Sequence, residues 1–162
     1  PTFPVTSGGQ KTREDGQVRY FSFCTNEYMS QKVTACLVDE EIAVDADGYY
    51  TIAVGFEEDR PENATSECGF NWLPTSPNGD GFRDIVIQEV ERGNLPEEAL
   101  DDSIQNNPYS NLIVVRNMLP ADDFENAIQN VGNYYEHEEV LGEYGTVHWY
   151  ESKLDFESRM CN

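Results

Sequence analysis

The chain has 162 residues, a length that suits one domain with a core of its own, and it contains no apolar run long enough to span a membrane. Ten basic residues stand against thirty-one acidic ones, which gives a formal net charge of -21 and disfavours nucleic acid and anionic lipid as partners. Because the acidic residues are interspersed with aromatic and β-branched residues, the sequence predicts a folded domain with an acidic surface.

The N-terminal residues 1–16 are rich in Pro, Thr, Ser and Gly and lack a helical period. We interpret them as an extended arm of a single domain that spans residues 1–162. The chain starts with Pro1 and not with Met, so we expect it to be processed or trimmed from a longer precursor.

Runs of aromatic and β-branched residues bounded by turn residues predict several short strands after this arm. The run 112–115 is the most apolar of them, and we expect it to be the central strand of its sheet. The predicted strands are 18–24, 33–38, a short one within 39–48 that ends at the Asp47-Gly48 turn, 49–54, 84–90, 112–115 and 146–150.

Two short helices are predicted in the second half of the chain. In the segment 94–107, a proline followed by two glutamates resembles the first turn of a helix, where acidic residues are favourable. A second helix after Pro120 is indicated by apolar residues at helical spacing, which are Phe124, Ala127, Ile128 and Val131. Several strands with two short helices favour a mainly β domain, either a β-sandwich or a jelly-roll-like fold.

Four cysteines without the close spacing of a zinc or redox motif indicate two disulfides, although three pairings are allowed and four buried free thiols are the alternative. Because Cys24 and Cys36 lie in neighbouring predicted strands, we expect the pairs Cys24–Cys36 and Cys68–Cys161. Disulfides predict a secreted or extracytoplasmic protein. In a eukaryotic secreted protein, the Asn-Ala-Thr sequon at Asn63 would carry a glycan.

Three stretches, "DADGYYTIAV", "NWLPTSP" and "LIVVRNMLP", are similar to a bacterial envelope family known as the domain of unknown function number twelve-fourteen. The chain also resembles uncharacterised secreted proteins in an aromatic-Ser-x-Cys strand, here 20–24, and in an "RNMLP" element, here 116–120. The resemblance covers residues 18–131 and implies a jelly-roll-like β-sandwich. It implies no catalytic residue, and the chain departs from the family in its cysteines, its acidity and a segment near 91–110.

Trp72, within the stretch "GFNWLPTSPNGDG", has two interpretations. As a structural residue, it packs at a corner of the sandwich while Pro74 and Pro77 direct the chain away. As a binding residue, it lines an apolar pocket with Tyr49 or Tyr50, on which a sugar or an aromatic ligand stacks. We favour the structural interpretation because a buried indole already accounts for the motif.

Two tight turns carry candidate ligands for calcium, the one cofactor that the sequence suggests. Asp45 and Asp47 lie on the first turn, and Asp80 lies on the Asn-Gly-Asp-Gly turn. Their carboxylates could supply part of the oxygen shell that calcium requires. The same residue types are also ordinary in hairpin turns, and we favour that interpretation.

The sequence contains no nucleophile elbow and no phosphate-binding loop. We therefore predict a non-catalytic extracellular domain, a structural or assembly subunit that acts through protein–protein contacts, with the N-terminal arm joining a neighbouring sheet in an oligomer or filament. The alternative is a small-ligand or carbohydrate-binding module around Trp72. A hydrolase with a carboxylate pair has the least support, because thirty-one acidic residues make chance pairs unavoidable.

Overall fold

The computed structural model describes residues 4–7, 15–142, 148, 150–159 and 161. Strand residues slightly outnumber helical ones in this part of the chain, in agreement with a mainly β domain. The strands there are β1 (Tyr20–Glu27), β2 (Val33–Val38), β3 (Thr51–Gly55), β4 (Phe70–Pro74) and β5 (Asn111–Met118), and the α-helices are α1 (Phe82–Glu91), α2 (His137–Leu141) and α3 (Lys153–Glu157).

The larger sheet is antiparallel, with the strand order β2-β1-β5. Its middle strand, β1, is buried at every residue after Tyr20, because each of its side chains has a neighbour on both sides. The prediction that 112–115 forms the central strand is therefore wrong, since these residues belong to the edge strand β5. Ile113 remains 49% exposed, so the apolar run reflects strand propensity and not a central position.

The smaller sheet pairs β3 and β4 in parallel, with Ala53 opposite Trp72. Alternate residues of β4 point to opposite faces, so the sheet separates two apolar clusters. The main core lies on the face of Leu73, and a second cluster lies on the face of Phe70. The main core comprises Val18, Phe21, Phe23, Ile42, Tyr50, Leu73, Phe124 and Ala127, and the second cluster comprises Ala53, Ala64, Phe70 and Phe156.

The predicted strand 84–90 is wrong, since these residues lie within helix α1. The apolar residues Phe82, Ile85 and Val86 recur at helical spacing, although Ile85 and Ile87 also alternate as in a strand. The helix start is favoured by the Asp80 carboxylate, whose Oδ1 accepts a hydrogen bond from the Phe82 N–H at 3.0 Å.

Both predicted helices are wrong in extent, because the segment 94–107 holds only a 3₁₀ turn at Glu97–Ala99 and the segment after Pro120 only one at Ile128–Asn130. In the second segment, the Asn130 amide donates to two backbone carbonyls and replaces helical hydrogen bonding. Two of the four residues in the periodic pattern, Phe124 and Ala127, are buried although no helix forms.

Two further predicted strands have different outcomes. Within 39–48 the structure has the Asp47-Gly48 turn but no regular strand, and the Asn71 side chain instead bonds both the N–H and the C=O of Ala43. An amide side chain thus satisfies backbone groups that a strand neighbour would otherwise pair. The predicted strand 146–150 lies mostly outside the described residues.

Both predicted disulfides are present. Cys24–Cys36 joins register partners of β1 and β2, and Cys68–Cys161 joins residues 93 positions apart. A bridge of this kind stabilises a domain by about 2–4 kcal/mol, mainly by restricting the unfolded chain. No helix in the described ranges has the length and apolar character needed to cross a bilayer. The two disulfides fit an extracellular protein.

The described part of the N-terminal arm packs on its own chain. Thr6 forms a parallel bridge with Val18, and the Gln17 N–H donates to the Val5 carbonyl oxygen at 2.7 Å. Pro4 is fully buried. Residues 4–7 therefore extend the fold of the same molecule.

Candidate functional site

Three loops converge at the end of β1, and we call residues 28–32, 76–82 and 106–110 together the loop end. The Asp80 carbonyl oxygen accepts hydrogen bonds from the backbone N–H groups of Met29 and Ser30, at 2.7 and 3.3 Å. The Asp80 N–H donates to the Asn107 carbonyl oxygen at 2.9 Å. One peptide segment thus connects all three loops through backbone hydrogen bonds, which makes the loop end an ordered surface.

A buried carboxylate lies beneath the loop end. Glu27, the last residue of β1, is only 1% exposed. Its Oε1 accepts a hydrogen bond from the buried Ser76 hydroxyl at 2.8 Å, and its Oε2 accepts one from the Ser30 hydroxyl. Burial of a carboxylate is costly unless its oxygens are hydrogen-bonded, so the two serine hydroxyls offset the cost of burying Glu27. Glu27 therefore connects β1 to two of the three loops.

The glycines of the Asn-Gly-Asp-Gly run are required by this packing. Gly79 and Gly81 both have positive φ angles, +56° and +70°. A β-carbon at Gly79 would overlap the Asn107 carbonyl oxygen, and one at Gly81 would overlap the Glu27 carboxylate. The run is therefore a close-packed turn over a buried acid.

The loop end presents large apolar side chains to solvent. Tyr109 is 87% exposed and Tyr28 is 54% exposed, and Met29 and Phe82 are also exposed. Exposed aromatic and methionine side chains on well-ordered loops are typical of protein-binding surfaces, because they bury a large area at a small entropic cost. This surface is the strongest candidate for function in the described residues.

Trp72 lies in the middle of strand β4, so the prediction that it occupies a corner is wrong. Its side chain is half-buried against the second cluster, and its Nε1 donates to the Glu57 carboxylate at 2.7 Å. The Arg60 guanidinium lies 6.0 Å from the ring centroid. The indole is therefore flanked by one carboxylate and one cation, an arrangement that suits a polar ligand.

The structure does not gather the three aromatic residues predicted for a pocket. Tyr50 is buried in the main core against Phe23, on the face of the small sheet opposite Trp72. Tyr49 is half-exposed and lies four residues before Ala53, which is the register partner of Trp72. At the rise of an extended chain, four residues place Tyr49 about 13 Å from Trp72 along the strand direction. Any ligand at Trp72 would therefore not contact Tyr50.

The three predicted calcium ligands lie at different ends of the small sheet. Asp45 and Asp47 precede β3, whereas Asp80 follows β4, and the two strands are parallel. The Asp45 Oδ1 accepts hydrogen bonds from the Asp47 and Tyr49 N–H groups, as in an ordinary Asx turn. In the described ranges, no group of three acidic, histidine or cysteine side chains is placed to hold a metal ion.

Asn63, the acceptor of the predicted sequon, holds the C-terminal segment in place. Its Nδ2 donates to the Arg159 carbonyl oxygen at 3.1 Å, and Phe156 of the same segment stacks edge-on against Phe70. The Glu62 N–H also donates to the Glu157 carboxylate. The atom that would carry a glycan therefore faces the C-terminal segment.

Among the described residues, two carboxylates have a lowered pKa, and both lie away from the loop end. The Asn94 side chain, followed by Arg92, lowers the pKa of Glu89 through hydrogen bonds. Hydrogen bonds from the Ser103 hydroxyl and N–H lower the pKa of Asp101. Asp101 is exposed and Glu89 is partly exposed, and each carboxylate accepts hydrogen bonds from residues at most five positions away. These shifts therefore reflect local turn chemistry and do not mark a catalytic pair.

No protein-family model matches this chain, and no curated protein or solved structure is significantly similar to it. The function is therefore inferred from the geometry of the described residues. The sequence analysis did not identify Glu27 or the exposed aromatic residues, because one acid among thirty-one carries no signal. The Asn-Gly-Asp-Gly run was the one sequence feature that indicated this end of the molecule.

Proposed function

We propose that this protein is a non-catalytic extracellular domain that acts by binding another protein through the loop end. The observation that carries this proposal is the exposure of Tyr28, Phe82 and Tyr109 on loops that hydrogen bonds hold together. Aromatic residues of this kind dominate the binding energy of protein interfaces. The partner is a neutral or basic surface, because the domain itself carries a net charge of -21.

Further features support an extracellular assembly role. Two disulfides suit an oxidising compartment, and the two sheets flank one main core, as a jelly-roll-like sandwich of the envelope-family type would require. Because residues 4–7 pair with their own chain, we place the contact surface on the loop end and not on that part of the arm.

Site-specific photo-crosslinking in the producing organism tests the protein-binding role. A benzophenone amino acid at position 109 should give discrete high-mass adducts, either with a second copy of the chain or with another protein. The matched control is position 135, where the tyrosine is also highly exposed but lies outside the loop end. Equal labelling at the two positions, or no adduct at position 109, would contradict the proposal.

A ligand-binding site at Trp72 is the alternative, favoured by the Glu57 and Arg60 side chains around the indole. A sugar would stack on the ring and use the two charged groups for hydrogen bonds. Fluorescence titration with a glycan panel should then change the wild-type signal. It should not change that of Trp72→Phe, which retains Trp149 as an internal reference. A wild-type signal that is constant across the panel would remove this alternative.

A further inference from the structure

Two sequence motifs that the proposed function does not use lie side by side on the larger sheet. The aromatic-Ser-x-Cys strand is part of β1, and the "RNMLP" element begins in β5, where Arg116 is the register partner of Ser22. Phe21 and Phe23 point into the main core, so their neighbours on β1 point to the opposite face. We call this opposite face the outer face; its central residues are Tyr20, Ser22, Cys24, Arg116 and Met118.

Arg116 is an exposed residue on the outer face. Its Nη1 lies 3.3 Å from the Cys24 sulfur, which is a weak acceptor. No carboxylate lies within ion-pair distance of it among the described residues. Other arginines have stronger partners for their guanidinium groups. Arg60 and Arg92 form ion pairs with glutamates. Arg83 donates to a backbone carbonyl oxygen, and Arg159 lies over two aromatic rings. Within the described residues, Arg116 thus has hydrogen-bond donors without a strong acceptor.

Ser22 adds an unsatisfied hydroxyl at the same place. The residue is 0% exposed, and its Oγ has no hydrogen-bond partner in the described structure. Buried hydroxyls are normally paired, so an unpaired one requires an explanation. Because Ser22 and Arg116 are directly opposite in register, an acceptor that displaces the Arg116 side chain from the Cys24 sulfur would meet both donors.

We propose that the outer face binds a carboxylate with an apolar body, held by the Arg116 guanidinium and the Ser22 hydroxyl. A carboxylate matches the fork of donors on arginine, and one negative charge is repelled less than a phosphate by a domain of net charge -21. Tyr20 and Met118 form one side of the site, and Val38 lies opposite Ser22 on β2. These side chains favour an aromatic or aliphatic acid.

The test follows benzoate binding by NMR through the backbone amide signals of β1 and β5, which persist in every variant. Saturable binding is expected with benzoate and not with benzamide, which has the same ring but no charge. Arg116→Gln should abolish it, and Ser22→Ala should weaken it about tenfold, the effect of losing one hydrogen bond to a charged group. Arg92→Gln is the matched control, because it removes an exposed arginine elsewhere and should leave the affinity unchanged.

Two ligand sources share this chemistry, and a second titration distinguishes them. N-acetylphenylalanine represents the C-terminus of a polypeptide, and benzoate represents a free organic acid; tighter binding of either one identifies the source. Saturation by neither acid, binding of benzamide, or unchanged affinity in Arg116→Gln would overturn the proposal. Thermal unfolding confirms that each variant is folded. A Tyr109→Ser variant should bind benzoate like the wild type. The proposal for the outer face and the proposal for the loop end are therefore tested independently.

Discussion

At the scale of single residues, the chain uses a buried acid and two glycines to shape one end of the molecule. Glu27 accepts hydrogen bonds from two serine hydroxyls, and Gly81 passes too close to that carboxylate for any side chain. Glu27 differs from the many other acidic residues of the chain in its burial, which its residue type alone does not indicate. The shape of the candidate binding surface therefore depends on groups that a ligand would not touch.

We expect Gly81→Ala to destabilise the domain by about 2–3 kcal/mol, because the new β-carbon adds a clash with Glu27 to the cost of a positive φ angle. Gly93→Ala is the matched control, since Gly93 has φ +75° but open space around its α-carbon, and it should cost only about 1 kcal/mol. Urea unfolding of both variants measures the difference. Equal losses would show that packing against Glu27 contributes nothing.

At the scale of elements, position in the sheet and local hydrogen bonding overrode propensity. The apolar run of β5 became an edge strand, while β1, with Ser22 and Asn26 among its residues, became the buried centre. Helix α1 formed where an alternating pattern also fitted a strand. The short element α3 lies in the segment that Cys161 and Asn63 attach to the loop before β4.

Without the Cys68–Cys161 bridge, the C-terminal segment should unfold more readily than the rest of the domain. We expect Cys68→Ser with Cys161→Ser to cost about 3–4 kcal/mol, and the amides of α3 should lose protection from hydrogen exchange while those of β1 keep it. The Cys24–Cys36 bridge closes a shorter loop, and its removal by Cys24→Ser with Cys36→Ser should leave α3 protected. Hydrogen exchange read by mass spectrometry distinguishes the two, and uniform loss of protection would contradict segmental release.

At the scale of the whole molecule, the net charge of -21 acts against compactness. Basic residues are scarce, so few of the described acids can be neutralised by ion pairs. The Arg60–Glu57 and Arg92–Glu89 pairs are partly exposed. Repulsion between like charges on one surface lowers the stability of the folded state. The same field would favour a neutral or basic partner at the proposed contact surface, the loop end.

Screening this repulsion should stabilise the domain. Between about 0.01 and 1 M KCl the Debye length falls from about 30 to 3 Å, and we expect a gain of about 1 kcal/mol, which raises Tm by roughly 2–4 °C for a chain of this size. Thermal melts across this series provide the measurement. A Tm that falls as salt increases would show that attractive ion pairs outweigh the repulsion.

Several structural features could be predicted from the sequence because they depend on residues close together in the chain. The strand 33–38 and the Cys24–Cys36 disulfide agree with prediction, because β-branched runs favour extended backbone and because cysteines in adjacent strands are close whatever the rest of the fold does. The predicted Cys68–Cys161 bridge is also present, but it joins residues 93 positions apart and followed only from the choice of the other pair. Phe124 and Ala127, apolar residues of the predicted second helix, are buried although no helix forms there.

The remaining features depend on contacts between segments far apart in the chain. The edge position of β5, the burial of Glu27 under residues 76–81, and the meeting of Ser22 with Arg116 all join residues separated by about fifty to ninety positions. No local pattern encodes such a pairing, because burial and register are set by whichever neighbour the folded chain brings alongside. The candidate surfaces of this protein therefore emerge only when the strands are assembled.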